Sequence, residues 1–208
     1  ITEDLKNKVQ GMPLARPFIE AINKSKAISL IAEIKKQSPS QGVICQEFTP
    51  ADIARVYKDS GAQAISVLTE EDFFAGNLNF ISEVKSAVDL PVLRKDFIIE
   101  PYQVYESRFF GADAILLIAD LLSKDKILEF MKIADSLGMD CLVEAHTEKE
   151  LKKVLDLKVP LIGINNRDLH TLEVDPKTTE KLITLIPKDK VVVVESGLKN
   201  SQDILFYT

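Results

Sequence analysis

Histidine and cysteine are scarce in this chain, with two of each in 208 residues. His146 and His170 are too few for a histidine-based metal site, although carboxylates can still bind a cation. Cys45 and Cys141 form neither a disulfide framework nor a C-x-x-C pair, and a reduced, cytoplasmic compartment is the simplest reading. No apolar run reaches the ~18–20 residues of a membrane span, and the opening ITEDLKNKVQ lacks the apolar core of a signal peptide. A basic stripe is also missing: the net charge is −6, with acids and bases interspersed, which excludes a nucleic-acid footprint. There is no G-x-G-x-x-G after the first expected strand and no low-complexity linker, so the chain reads as one domain without a dinucleotide fingerprint.

Short apolar runs punctuated by polar exits are what the chain does have. SLIAEIK, PVLRK, DCLVE, LIGIN and VVVVES each read as a strand buried on both faces, as in a parallel sheet. Strands are expected near 29–35, 63–68, 91–95, 113–118, 139–144, 160–164 and 190–195. Amphipathic segments lie between them: ADIARVYKDSG after Thr49-Pro50, PYQVYESRFFG, SKDKILEFMKIADSLG with Ser123 as N-cap, and EKELKKVLD after Thr147. A further helix near Arg16–Ser25 precedes the first strand. This alternation is that of repeated βα units, in an open doubly wound sheet or a closed barrel.

The strand exits favour the barrel. Residues i and i+2 of a strand share a face, so Glu33 and Lys35 point the same way, with Ile31 beneath them and Ala32 and Ile34 toward the helices. Lys95 shares a face with Leu93, Glu144 with Leu142, Asn165 with Gly163 and Glu195 with Val193. A charged group at the end of a buried strand is costly unless paired or used. An open sheet concentrates its site at one switch point, whereas a barrel gathers it from the C-terminal ends of many strands. Two lysines, three glutamates and an asparagine are suited to proton transfer; structural ion pairing is the competing reading for any one of them. The loop KKQSPSQG (35–42) and the turn Glu195-Ser196-Gly197 offer hydroxyls and backbone amides to an anion, although for each alone a plain turn is the better expectation.

The chain resembles the indole-3-glycerol phosphate synthases of tryptophan biosynthesis. The matching stretches are IAEIKKQSPSQG (31–42), SVLTEEDFFAGN (66–77), PVLRKDFIIEPYQV (91–104), GADAILLIA (111–119), LVEAHTEKEL (142–151), IGINNRDLHTLEVD (162–175) and VVVESGL (192–198). The resemblance implies an α/β fold: a TIM (β/α)8 barrel with an extra N-terminal helix. Only seven strands are legible, and KNSQDILFYT reads as the start of a seventh helix. The eighth βα unit, with the family's second phosphate-binding element, is thus expected to be absent from this sequence, which reads as residues 1–208 of a C-terminally incomplete barrel domain. A chain ending at Thr208 would leave the first and seventh strands each with an unpaired edge, lack half a phosphate site, and be poorly stable and weakly active.

The implied activity is that of a carboxy-lyase acting without cofactor or metal on a phosphorylated small-molecule substrate. Ring closure, decarboxylation and dehydration convert 1-(o-carboxyphenylamino)-1-deoxyribulose 5-phosphate to indole-3-glycerol phosphate. By resemblance Lys95 is the acid for ring closure, and Lys35 holds the substrate carboxylate and donates a later proton. Glu144 is the acid or base of the dehydration, with Glu33 a second candidate, and Asn165 and Glu195 position hydroxyls and lysines. Ser38, Arg167, Ser196 and Gly197 are the phosphate-side candidates, while Phe74, Phe97 and Leu117 are expected to pack against the aromatic ring. Neither nucleic acid nor membrane is expected as a partner; association with other tryptophan-pathway enzymes is. The competing readings are a Schiff-base lyase using Lys35 or Lys95 and an inactive barrel fragment.

Overall fold

The computed structural model describes residues 3–24, 28–198 and 203–204. All seven expected strands form. They are β1 (Ile31–Ile34), β4 (Ala64–Leu68), β5 (Val92–Lys95), β6 (Ala114–Ile118), β7 (Asp140–Ala145), β8 (Leu161–Asn165) and β9 (Val191–Glu195). Two short strands missing from the sequence reading, β2 (Gln37–Ser38) and β3 (Gly42–Val43), form a separate antiparallel ladder. The helices are α1 (Glu3–Gln10), α2 (Phe18–Asn23), α3 (Pro50–Asp59), α4 (Asn79–Ala87), α5 (Pro101–Phe109), α6 (Lys124–Ser136), α7 (Glu148–Asp156) and α8 (Lys177–Ile183).

The larger strands are ordered β1-β4-β5-β6-β7-β8-β9, so each is the neighbour of the next along the chain. That is the connectivity of a (β/α) barrel; a doubly wound sheet reverses its order at a switch point. The expected helix in KNSQDILFYT lies, apart from residues 203–204, outside the described residues. Where one extra N-terminal helix was expected, two stand before β1.

Residues pack into two compact units, Ile1–Leu116 with Glu129–Cys141, and Leu117–Leu128 with Leu142–Thr208. In the first unit the register pairs Glu33 with Ser66, Ser66 with Leu93 and Leu68 with Lys95. The alternating burial of β1 leaves Ile31 and Glu33 half-buried and buries Ala32 and Ile34, as the i, i+2 reading required.

A polar hub also holds this unit together. Asp113 is fully buried; its carboxylate accepts from Lys85 Nζ at 2.6 and 2.7 Å, from the Arg16 amide at 2.7 Å and from the Val92 amide at 2.8 Å. The Arg16 guanidinium reaches the carbonyl oxygens of Val88 (2.9 Å) and Leu90 (2.7 Å), tying the segment before α2 to the start of β5. Burial lowers the pKa of Lys85 despite the attraction of Asp113. Removing one partner of such a pair strands the other charge. Asp113→Ala is therefore expected to lose about 3–5 kcal/mol of unfolding free energy in urea titrations. A loss below about 1 kcal/mol would show that the hub is dispensable.

In the second unit, β8 pairs with β7 through Glu144 and Gly163, and with β9 through Gly163 and Val193 and through Asn165 and Glu195. α7 starts as the sequence indicated: Thr147 is its N-cap, and its hydroxyl accepts from the Glu150 amide. Thr49 is extended before α3 but makes no side-chain cap bond; Pro50 at the first helical position sets the start instead.

Candidate active site

Glu33, Lys35 and Lys95 meet at the C-terminal ends of β1 and β5. Lys35 Nζ donates to Glu33 Oε1 at 2.5 Å, and Lys95 Nζ to Glu33 Oε2 at 2.9 Å. All three side chains are 23–30% exposed, open enough to meet a ligand. Burial alone would raise the Glu33 pKa, but the two ammonium groups outweigh it and hold the carboxyl at about 2 against an ordinary 4.5. Because the folded-state pKa is depressed, this carboxylate contributes stability that is present above about pH 4.5 and lost as pH falls toward 2.

Lys95 is aimed by its neighbour. Arg94, 3% exposed, binds Asp96 Oδ2 at 2.9 Å, Glu106 Oε2 at 3.0 Å, Ser107 Oγ at 3.1 Å and Thr69 Oγ1 at 3.2 Å. This anchors one face of β5 to α5, and strand alternation then sends Lys95 to the other face. The sequence reading missed Arg94; an arginine in the middle of a buried apolar run was the available signal.

The loop after β1 is not the plain turn expected. Gln37 pairs with Val43 and Ser38 with Gly42, and Gly42 takes φ +66°. Ser38 is buried, and its hydroxyl has no hydrogen-bond partner among the described residues, as is also true of Ser66 opposite Glu33 in the register. Phe74 sits half-buried in the loop after β4, where the Glu70 carboxylate accepts from the amides of Asp72, Phe73 and Phe74 at 2.7–3.2 Å. Phe97 is half-buried just beyond Lys95.

The second unit carries the other candidates. Glu144 is 1% exposed and faces His146, whose Nε2 lies 3.2 Å from Glu144 Oε1. Asn165 Oδ1 accepts from the Arg167 amide at 2.9 Å. Asn166, not singled out from sequence, is the buried tie of this region. Its side-chain oxygen accepts from Thr179 Oγ1 (2.7 Å) and the Thr179 amide (3.0 Å), its Nδ2 donates to the Ser196 carbonyl (3.2 Å), and its amide donates to the Glu195 carbonyl (2.9 Å). Ser196 and Gly197 follow β9 with φ +66° and +82°. A left-handed serine costs on the order of 1–3 kcal/mol and is held only where the surroundings demand it. Arg167 Nη1 donates to Leu172 O at 2.7 Å within its own loop. Leu117 is fully buried on β6.

Ionisable groups at the C-terminal exits of successive parallel strands stand where α/β-barrel enzymes carry their active sites. The family model for indole-3-glycerol phosphate synthase matches residues 1–208. An indole-3-glycerol phosphate synthase of Acetivibrio thermocellus is 50% identical over 206 residues, covering 98% of this chain and 79% of that protein. One of Caldanaerobacter subterraneus subsp. tengcongensis is 52% identical over 189 residues, covering 91% and 73%. Among solved structures, an N-acetylmannosamine-6-phosphate 2-epimerase from Clostridium perfringens superposes with a TM-score of 0.66 at 14% identity, covering 93% of this chain and 85% of that one, a likeness of fold alone. The chain belongs to the indole-3-glycerol phosphate synthase family, carboxy-lyases of the TIM (β/α)8-barrel class that serve tryptophan biosynthesis. No helix among the described residues is long and apolar enough to cross a membrane.

Proposed function

We propose that the chain closes the indole ring of 1-(o-carboxyphenylamino)-1-deoxyribulose 5-phosphate with Lys95 as proton donor. The observation that carries this reading is the sharing of one carboxylate, Glu33, by two lysines, at 2.5 Å from Lys35 and 2.9 Å from Lys95. Lysines engaged this way suit proton donation; a Schiff-base lysine must offer an unprotonated amine.

In the first step the ring carbon bearing the carboxylate attacks the ketone carbon. A carbon–carbon bond forms, and the carbonyl oxygen takes a proton from Lys95. Lys35 binds the carboxylate, which leaves as carbon dioxide while its bonding pair restores the aromatic ring. In the dehydration, hydroxide departs as water with a proton donated by Lys35, and a carboxylate removes the neighbouring C–H proton to complete the indole double bond. Glu144 is assigned to this step, with Glu33 as the second candidate. Asn165 and Glu195 position substrate hydroxyls. Ser38, with its unpartnered hydroxyl, and the left-handed Ser196-Gly197 turn serve the phosphate side; Arg167 joins them if it releases Leu172. Phe74, Phe97 and Leu117 pack the ring. A cytoplasmic location and association with other enzymes of the pathway belong to the same reading.

The test is the appearance of indole fluorescence when the anilino-deoxyribulose phosphate is added to the full-length protein, with borohydride included in a parallel reaction. Turnover unaffected by borohydride is expected. Absence of turnover from folded full-length protein, or inactivation by borohydride with a covalent substrate adduct on Lys35 or Lys95, would overturn the reading.

A further inference from the structure

His146 stands two residues beyond Glu144, between β7 and α7, and the sequence reading gave it no role. Its ring is 11% exposed and lies between two carboxylates: Nε2 is 3.2 Å from Glu144 Oε1, and Nδ1 is 3.3 Å from Glu150 Oε2. A neutral imidazole has one N–H and one lone pair, so it would turn a lone pair toward a carboxylate oxygen at one of these contacts. The Nδ1 contact with Glu150 has hydrogen-bond geometry, whereas the Nε2 approach to Glu144 Oε1 is a buried charge contact without it, and only the imidazolium puts positive charge against both carboxylates.

Glu150 is fixed by the start of its helix. Its Oε1 accepts from Thr147 Oγ1 at 2.7 Å, its Oε2 from the His146 amide at 2.8 Å, and its own amide donates to Thr147 Oγ1 at 3.2 Å. It lies in the first turn of α7, where the helix dipole favours a negative charge. The order is therefore helix N-terminus, Glu150, His146, Glu144. Other charged groups on the neighbouring elements are engaged elsewhere: Lys153 donates to the Leu122 carbonyl at 3.0 Å and to that of Ala119, Glu148 pairs with Lys181 of α8 at 2.7 Å, and Asp120 beyond β6 lies 3.2 Å from His170. Burial alone would lower the His146 pKa, but the two facing carboxylates outweigh it and carry it up to about 10, while His146 and Thr147 bring Glu150 down to about 2 against its own burial.

We propose that His146 is a positioning residue for Glu144: clamped as an imidazolium against Glu150, it fixes the Glu144 carboxylate in place and keeps it ionised, which gives Glu144 the proton-accepting role in the dehydration. This rests on the assignment of Glu144 to that step. Glu150 acts one stage further back, by keeping His146 charged.

The test joins pH–rate profiles and imidazole NMR on the full-length enzyme. His146→Gln keeps a hydrogen-bonding side chain but removes the charge. It is expected to lower kcat on the order of tenfold with a smaller change in KM, and to move the acid limb of kcat upward by about one pH unit, because Glu144 then ionises less readily. Glu150→Gln should shift the limb in the same direction by less. The resonance that disappears in the His146→Gln variant is assigned to His146. His146 is expected to stay protonated beyond pH 8 in the wild type and to titrate lower in Glu150→Gln.

Titration of His146 near the ordinary value of about 6.5 would overturn the proposal, as would a folded His146→Gln enzyme with wild-type kcat and pH profile. If His146→Gln does not fold, Glu150→Gln and the NMR titration decide. Glu144→Gln separates the layers. If it is inactive while His146→Gln is normal, the clamp falls and the assignment of Glu144 stands; if it is fully active, that assignment falls and the proposal with it.

Discussion

Replacing Lys95 with alanine is expected to lower kcat by on the order of 10²–10⁴-fold, the range for removing a positioned acid, while KM changes far less. The reason lies in how this lysine is held. Arg94 fastens the opposite face of β5 to α5, and Glu33 Oε2 accepts from Lys95 Nζ at 2.9 Å. The ammonium is thus in place before substrate arrives, and a shortened side chain leaves no other donor from β5. Lys35 keeps its 2.5 Å bond to Glu33, so binding of the substrate carboxylate should survive. Lys95→Arg is not a conservative rescue, because a planar fork cannot put a single proton where the ammonium stood. Glu33→Gln gives a second check: it removes the charge that both lysines share, and its effect should exceed a loss of packing, appearing in kcat more than in unfolding free energy. A Lys95→Ala enzyme within tenfold of wild-type kcat would remove Lys95 from the ring-closure step.

The fold was legible because buried parallel strands write a strong signal. Leu161–Asn165 and Asp140–Ala145 are short apolar runs that no helix period fits, and they are buried as expected; Val191–Glu195 forms its strand too, but Val191–Val194 are only half-buried where burial on both faces was expected. The Glu33–Lys35–Lys95 meeting was legible too, since the period of two fixes which side chains share a face. Other features were not. The β2–β3 ladder is two residues long on each side, too short for alternation to register, and it depends on Gly42 at φ +66°. Arg94 and Asn166 looked like ordinary polar residues beside the ones chosen. Their importance comes from partners 9–30 positions away, such as Gln103, Glu106, Thr179 and Ser196. His146 was weighed as a metal ligand, and scarcity argued against that. Its contacts are with carboxylates two and four residues distant, which a count of histidines does not reveal.

Gly163→Ala is expected to leave the fold standing and to remove most of the activity. Gly163 is in the middle of β8, between Glu144 on β7 and Val193 on β9. A Cβ built there would lie 2.5 Å from Glu195 Oε1, but an acceptable 3.4 Å from Glu144 Cα and Leu142 Cδ1. Gly163 is not in the left-handed region, so alanine suits its backbone, and the substitution stiffens the unfolded chain, a gain of about 0.4–1 kcal/mol where no strain results. The one atom that must move is the end of a flexible carboxylate side chain. The cost therefore falls on where Glu195 points rather than on packing. A misplacement of about 1 Å in a positioning group can cost on the order of 10²-fold in rate, and a drop of that order in kcat is expected, with unfolding free energy within about 1 kcal/mol of wild type. If the effect travels through Glu195, Gly163→Ala and Glu195→Gln should be strongly non-additive, the double variant being little worse than Glu195→Gln alone. Additive losses would mean that Gly163 acts on the site by another route, and unfolding of Gly163→Ala would make the glycine a matter of packing between β7 and β9.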